Sequence, residues 1–508
     1  MMTPSLRILK DVTVADPEGR GLGKIAVIDI GSNTVRLVVY DAPTRLPIPM
    51  FNEKVQCALG LGLADTGKLN PEGVEMAVNA LVRFVNLSRA MGVDHLEIVA
   101  TAAVREAEDG PDFVRRIHAL LNHEITVLSG EEEAKLAAYG LLSGTPDADG
   151  VIGDLGGGSL DLVVLNHGTF GEHATFPLGH LRLRDAAGGK PENAGKVIEG
   201  HLEGTSWMKK IKGRTLYAVG GSWRAIARIM IDQTHYPLHV IDNYTIEREE
   251  ALRLLQLIGK MSSGSIAKIP GVPKKRVETL PYAAIALGVL LEQSGAAQVT
   301  FSGYGMREGQ LLQCLPERLR RQDPLISASK TRNERTGRFR IKGREIRDWM
   351  EPLFPDITYE ETRILYAACL LGDLGWNEHP DYRAEHAFYR ILRIPFAGLT
   401  HPERALLAIS IYVRYNGNSG DSLVRSVGAL LSEDQIRWCD TVGLALRLAH
   451  TLSGSAPGIL AQTHLRNEDN TLILGLPQSR EAFVSEMVER RLKTLAKSLG
   501  EGKASAID

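Results

Sequence analysis

Up to about residue 315 the apolar positions follow two rhythms, and beyond it they keep only one. Residues 25–40 read IAVIDIGSNTVRLVVY: an apolar run, a polar turn on Gly31, Ser32 and Asn33, then a second β-branched run. That is the pattern of a β-hairpin. Residues 151–165, VIGDLGGGSLDLVVL, repeat it, with Asp154 matching Asp29 and Gly156-Gly157 matching Gly31-Ser32. Two hairpins opened by the same Asp-x-Gly chemistry point to a duplicated domain, although each alone also fits a plain glycine turn.

Between the hairpins the rhythm alternates. Residues 73–91 have helical spacing, 95–103 read as a strand, 112–121 as a helix, 124–128 as a strand and 131–142 as a helix. This is the order of an α/β layered domain. The polar stretch 144–150 is the expected link into a second lobe. There a strand at 215–219 precedes Gly220-Gly221-Ser222 and a helix from Trp223 to Met230, followed by helices at 246–261 and 280–292 and a strand ending near Gly303. From Ile357 to Leu448 apolar residues recur at helical spacing only, which predicts an all-α domain entered through a basic linker. The expected division is 1–143, 144–314 and 315–508.

Composition adds boundaries. The chain has 508 residues, 44% of them hydrophobic, and a formal net charge of −2, an ordinary globular balance. With so little net charge, attraction for a polyanion has to come from local clusters. The cysteines, Cys57, Cys314, Cys369 and Cys439, show no metal-ligand spacing, and a reducing compartment is the expectation. Lys10, Asp11, Asp16 and Glu18 interrupt the first residues, and runs such as Ala283–Leu291 fall short of the roughly 20 residues of a membrane helix. A cytoplasmic protein is expected.

The candidate chemistry sits at the glycine turns. Consecutive small residues let several backbone N–H groups converge on an anion, and Ser32, Thr34 and Ser159 add hydroxyls. Asp29 and Asp154 would repel phosphate directly but could hold a divalent cation that bridges to it. In Ser129-Gly130-Glu131-Glu132-Glu133, a capping box accounts for Ser129 and Glu132, and first-turn acids are favoured in any helix. Glu133 is surplus to that, and beside phosphate charge its proton affinity would rise, as suits a general base. Arg105 could clamp a phosphate or be a surface arginine. Gly220-Gly221-Ser222 before a helix could bind an anion or simply turn the chain. Arg318 to Arg347 carries a local basic excess, including Arg338, Arg340 and Lys342, that reads as a solvated linker or a polyanion track. Lys274-Lys275-Arg276 and Lys209-Lys210 with Lys212 and Arg214 are smaller clusters of the same kind. No P-loop, G-x-S-x-G or H-E-x-x-H motif occurs.

IDIGSNT, TAAVRE, SGEEEA, DLGGGSLD, AVGGS and SGYGMREG stand in the order seen in the exopolyphosphatase / guanosine pentaphosphate phosphohydrolase family, within the actin, Hsp70 and sugar-kinase superfamily, and residues 22–312 resemble it. The resemblance implies an α/β fold of two ribonuclease-H-like lobes flanking a cleft. It matches Glu133 to the catalytic base, Asp154 to the metal-associated acid, and Ser32, Asn33, Thr34, Arg105, Gly157, Gly158 and Ser159 to phosphate contacts. Gly221 and Ser222 join the phosphate-binding candidates, and Asp29, Asp154 and Asp161 the metal candidates. Asp161 stands where many members carry Glu. The C-terminal part resembles an HD-like helical domain. Gly372 precedes Asp373 where a metal-binding histidine belongs, so Asp373, His379, His386 and His401 read as remnants or ordinary helix residues.

The implied activity is metal-dependent removal of terminal orthophosphate from inorganic polyphosphate, with Mg²⁺ or Mn²⁺. Guanosine pentaphosphate is the alternative substrate. A non-catalytic polyphosphate or nucleotide sensor and a small-molecule kinase stay open beside it. No DNA, RNA or membrane partner is expected, and a homodimer fits the resemblance.

Overall fold

A computed structural model describes residues 23–41, 44–336, 339, 343–477, 483–500 and 503–507. Lys10, Asp11, Asp16, Glu18, Arg338, Arg340 and Lys342 lie outside them. The chain divides into two compact units, 1–322 and 323–508.

The first unit holds two sheets. In one, β1 (Lys24–Ile30) pairs antiparallel with β2 (Thr34–Tyr40) and parallel with β4 (Val93–Ala100); β3 (Pro49–Gln56) extends one edge and β5 (Thr126–Val127) the other, in the order β3-β2-β1-β4-β5. The other sheet contains β6 (Gly150–Leu155), β7 (Leu160–Asn166), β8 (Thr169–Phe176), β9 (Thr215–Val219), β10 (Tyr244–Glu247) and β11 (Gln298–Phe301). Its order, β8-β7-β6-β9-β11-β10, repeats the first sheet's order and adds one antiparallel edge strand. These are two ribonuclease-H-like lobes.

Side chains alternate across β1, so both faces need a cover. Ala26, Ile28 and Ile30 pack on helices Pro71–Ala90 and Gly110–Leu121 through Leu81, Phe84, Phe113 and Ile117. Ile25 and Val27 turn the other way, towards Leu136 of helix Gly130–Gly144 and Leu311 of helix Met306–Cys314. The opposite side of that helix pair covers Ile152, Val163 and Val219 of the second sheet. Burial on both faces is why these strands read as continuous apolar runs. The pair crosses closely enough to require glycine: a Cβ on Gly309 would lie 1.8 Å from the Leu136 carbonyl oxygen, and one on Gly140 2.1 Å from that of Gly305.

Several expected boundaries move. The strand at 95–103 stops at Ala100, because residues Ala102–Glu106 form a helical turn. The strand at 124–128 reduces to Thr126–Val127, and Ile246 belongs to an edge strand rather than to the helix Arg248–Lys260. Residues 315–322 pack with the first unit, Leu315 and Leu319 closing onto the same core as Leu312.

The second unit is mainly helical, built around helices Tyr359–Leu371, Arg383–Arg393, His401–Arg414 and Glu433–Ser453. It also carries a small sheet that the apolar spacing did not show: β12 (His464–Glu468), β13 (Thr471–Gly475) and β14 (Lys503–Ile507). The expected basic linker is largely helical where described, as Glu317–Arg320, Pro324–Thr336 and Gly343–Met350. Among the described residues no helix is long and apolar enough to cross a membrane.

Candidate functional site

Both hairpin turns close in the same way. Gly31 donates its N–H to the Thr34 carbonyl at 3.0 Å, and Gly156 donates to the Ser159 carbonyl at 3.0 Å. The turns also meet: a Cβ on Gly158 would stand 3.1 Å from Ser32 Oγ, and one on Gly157 3.7 Å from Ser32 Cβ. Between them lies a cavity of about 240 Å³ within the first unit, lined by residues of both sheets. Asp29, Ser32, Asn33, Thr34, Glu133, Asp154, Gly157, Gly158, Ser159 and Gly221 all reach it. Backbone amides at closely approaching turns, in a cleft with hydroxyls, form an anion cradle.

The glutamate run divides as helix capping requires. Ser129 and Glu132 complete a reciprocal capping box, and Glu131 pairs with Lys135 at 2.5 Å. Glu133 is left facing the cavity, its side chain 13% exposed. Burial pushes its carboxyl up to about 7, with Arg105 opposing and the charges of Asp154 and Asp29 adding. Arg105 donates to Glu133 Oε2 at 3.0 Å and to the Leu128 carbonyl at 2.8 Å. Through these two bonds the arginine ties the Glu133 carboxylate to the end of β5. Ser222 is fully buried and accepts from Arg276 at 2.6 Å.

The three aspartates fall into two settings. Asp29 and Asp154 are the penultimate residues of β1 and β6 and face the cavity. Loss of solvent raises both carboxyls, Asp154 to about 6. Arg307 stands 3.9 Å from Asp29 and lowers its carboxyl in part, whereas Asp154 has no ion pair or side-chain hydrogen bond among the described residues. Asp161 sits off the cavity, accepting from Ser159 Oγ at 3.1 Å and Thr175 Oγ1 at 2.7 Å. Burial and the nearby Glu133 charge raise its carboxyl well above the ordinary range. Among the described residues, no group of three His, Cys, Asp or Glu side chains is arranged to hold a metal. The expected Asp29, Asp154 and Asp161 set therefore does not form a ligand triad: two of its members face the cavity and the third is bound to hydroxyls.

Sequence reasoning missed most of the positive charge. Arg36, Lys54, Arg224, Lys275, Arg276 and Arg307 line the cavity against three carboxylates. Desolvation and mutual repulsion lower Arg36 and Arg276 to about 10 and Lys54 to about 8. The Lys275-Arg276 cluster and SGYGMREG were visible in the sequence, but their convergence was not. Arg36 had a local signal: it pairs directly with Asp29 across the hairpin.

In the second unit Asp373 faces Arg414 at 3.6 Å, and a Cβ on Gly372 would come within 2.8 Å of His450 Nε2. His401 is buried in its helix, while His379 and His386 are exposed beside Asp381 and Glu378.

Similarity to known proteins was consistent with this geometry. A relative from Aeromonas salmonicida (strain A449), guanosine-5'-triphosphate,3'-diphosphate pyrophosphatase, is 25% identical over 89% of this chain and 92% of its own. Retrograde regulation protein 2 of Saccharomyces cerevisiae is 25% identical over 78% of this chain and 73% of its own. A crystal structure of an exopolyphosphatase from Cytophaga hutchinsonii shares the fold, with a TM-score of 0.51 and 23% identity over 56% of this chain and 96% of that one. The model of the C-terminal exopolyphosphatase domain matches residues 335–507. The model of the Ppx/GppA phosphatase family matches residues 38–318, more than half of the sequence, and the chain belongs to that family.

Proposed function

We propose that this protein is an exopolyphosphatase, releasing orthophosphate from the end of inorganic polyphosphate. The observation that carries the reading is Glu133, an acid surplus to helix capping, held by Arg105 at the wall of a cation-rich cleft between two amide-lined turns. In this reading the turns hold the terminal phosphoryl group, with hydroxyls of Ser32, Thr34 and Ser159 beside it. Glu133 takes a proton from the attacking water; the new P–O bond forms as the anhydride P–O bond breaks. Arg105 keeps the carboxylate oriented. The remaining cations would hold the phosphoryl groups that stay bound, which favours a polymer and successive cleavage.

Asp29 and Asp154 fit a divalent cation such as Mg²⁺. Both carboxylates face the cavity, Asp154 without an ion pair or side-chain hydrogen bond among the described residues, and Mg²⁺ is commonly held by one or two carboxylates together with water and substrate phosphate. Such an ion would neutralise charge on the phosphoryl oxygens. The four cysteines are free thiols, which supports a reducing, cytoplasmic setting.

Glu133→Gln should reduce phosphate release on the order of a thousandfold, leaving polyphosphate binding largely intact. Retained turnover would refute the role. The name of the Aeromonas relative favours a second reading, hydrolysis of guanosine pentaphosphate. Comparing kcat/KM on long-chain polyphosphate and on guanosine pentaphosphate decides between the two.

A further inference from the structure

One residue at the cleft has a polar atom that the site as described leaves unused. His180 opens the helical turn His180–Ala186, and its backbone N–H donates to the Gly156 carbonyl at 3.1 Å. Leu181 donates to the Gly157 carbonyl at 3.2 Å, so this turn is fastened directly to the second phosphate loop. The approach depends on Gly179, where a Cβ would lie 2.4 Å from the Gly157 carbonyl. His180 lines the cavity although the residue is only 8% exposed.

Its Nδ1 is sealed from solvent and has no hydrogen-bond partner among the described residues. Burial, with Arg276 and Arg184 nearby, lowers the imidazole to about 3 and keeps the ring neutral. A neutral imidazole carries one N–H. Placing that proton on Nδ1 would strand a buried donor with no acceptor, an arrangement that carries a full desolvation penalty. An unprotonated Nδ1 is unpartnered too, but orphaned buried N–H groups are the rarer case, so the proton is assigned to Nε2, which makes His180 an uncharged donor at a cleft otherwise crowded with cations. The complement to such a donor is an anionic oxygen.

The contacts around His180 say what it stands beside. Its turn is fastened to the second loop through Gly156 and Gly157. Arg276 and Arg184 are its charged neighbours, and Arg276 is fixed to Ser222 at the start of helix Gly221–Gln233. His180 thus stands with the second loop and Arg276 at the cavity wall.

We infer that His180 is a substrate-binding residue whose Nε2–H donates to a phosphoryl oxygen of the bound substrate beside Arg276. The inference rests on the proposed hydrolysis of a phosphoanhydride chain in this cleft. A donor of this kind contributes to holding substrate and little to the step that breaks the bond, so its loss is read in KM.

The test compares His180→Phe, which keeps the ring volume without a donor, with His180→Gln, whose amide N–H reaches the position of Nε2. On long-chain polyphosphate, His180→Phe should raise KM about tenfold while kcat stays within about twofold. His180→Gln should bring KM back to within about threefold of the wild type. An unchanged KM in His180→Phe, a fall in kcat alone, or a Gln variant no better than Phe overturns the inference.

Two measurements keep the test independent of turnover and of folding of the Phe variant. Isothermal titration of Glu133→Gln with the same polyphosphate should weaken about tenfold when His180→Phe is added; equal affinities overturn the proposal. In histidine-labelled Glu133→Gln protein, ¹⁵N spectra should show His180 protonated at Nε2 and shifted on adding polyphosphate. An Nδ1–H tautomer or an unmoved resonance overturns it. If the wild type releases no phosphate from polyphosphate, the proposed activity fails, while the binding and spectral results still decide the role of His180.

Discussion

The two glycine hairpins have the same backbone and opposite electrostatics. In the first, Asp29 stands across the ladder from Arg36; in the second, Asp154 stands across from Asp161. One register position therefore holds an opposite-charge pair in one lobe and a like-charge pair in the other. Asp29 gains further relief from Arg307. Asp154 gains relief from Arg224 and Arg307 at longer range but feels Asp29 as well, and Asp161 accepts from two hydroxyls. Duplication supplied two equivalent cradles, and subsequent divergence left the second with the less compensated carboxylate. In the proposed reading, that carboxylate is the one that would hold the cation.

The comparison predicts unequal losses. Asp154→Asn should lower kcat on the order of a hundredfold, and Asp29→Asn, whose carboxylate already has Arg307 at 3.9 Å and Arg36 across the ladder, clearly less. Phosphate release at saturating Mg²⁺ measures both; equal losses would mean that the pairing across the ladder does not matter.

The loops should also differ in tolerance of a methyl group. A Cβ on Gly158 meets Ser32 Oγ at 3.1 Å, whereas one on Gly31 finds only the Thr34 carbonyl at 3.4 Å. Gly158→Ala should cost about tenfold in kcat/KM by pushing the turns apart, since misplacement near 1 Å is expensive for catalysis. Gly31→Ala should cost less than about threefold on the same grounds. Reversal of that order would show that the turns are not in working contact.

The smallest effect is on stability. The carboxyl of Asp154 is raised in the folded chain from 3.8 to about 6. Its charged form is thus disfavoured by folding. The penalty is absent below about pH 3.8, grows as pH rises to about 6 and stays constant above. Asp154→Asn removes it, worth at most about 3 kcal/mol. In metal-free protein, the melting temperature of Asp154→Asn should exceed the wild type by a few degrees at pH 7.5. The gap should narrow by pH 5. A gap independent of pH would place the effect elsewhere.

Local pattern carried much of this architecture. The Asp-x-Gly turns between apolar strands announced two lobes, because a hairpin's chemistry is written in consecutive residues. Glu133 stood out because a capping box uses its neighbours and leaves it over. The pattern failed where a signal was short or long-range. Thr126–Val127 is too brief to show a period, and β14 joins β13 only after an intervening helix. For Arg105 the spacing left a phosphate clamp and a surface arginine both open, because an arginine after a strand does not reveal that it also contacts Glu133, 28 residues on.

From the chain order alone came the duplicated cradles, the surplus acid and the helical character of the second unit, since each depends on residues within one turn or one hairpin of each other. Tertiary structure alone decided which charges share the cleft. Arg36, Lys54, Arg224, Lys275, Arg276 and Arg307 come from separate elements of both lobes. They converge because two sheets close over one crossing helix pair, and burying them together is what lowers the proton affinities of Arg36, Lys54, Arg224 and Arg276. The same closure set Asp161 behind the wall and sealed one nitrogen of His180, outcomes of packing that no spacing along the chain encodes.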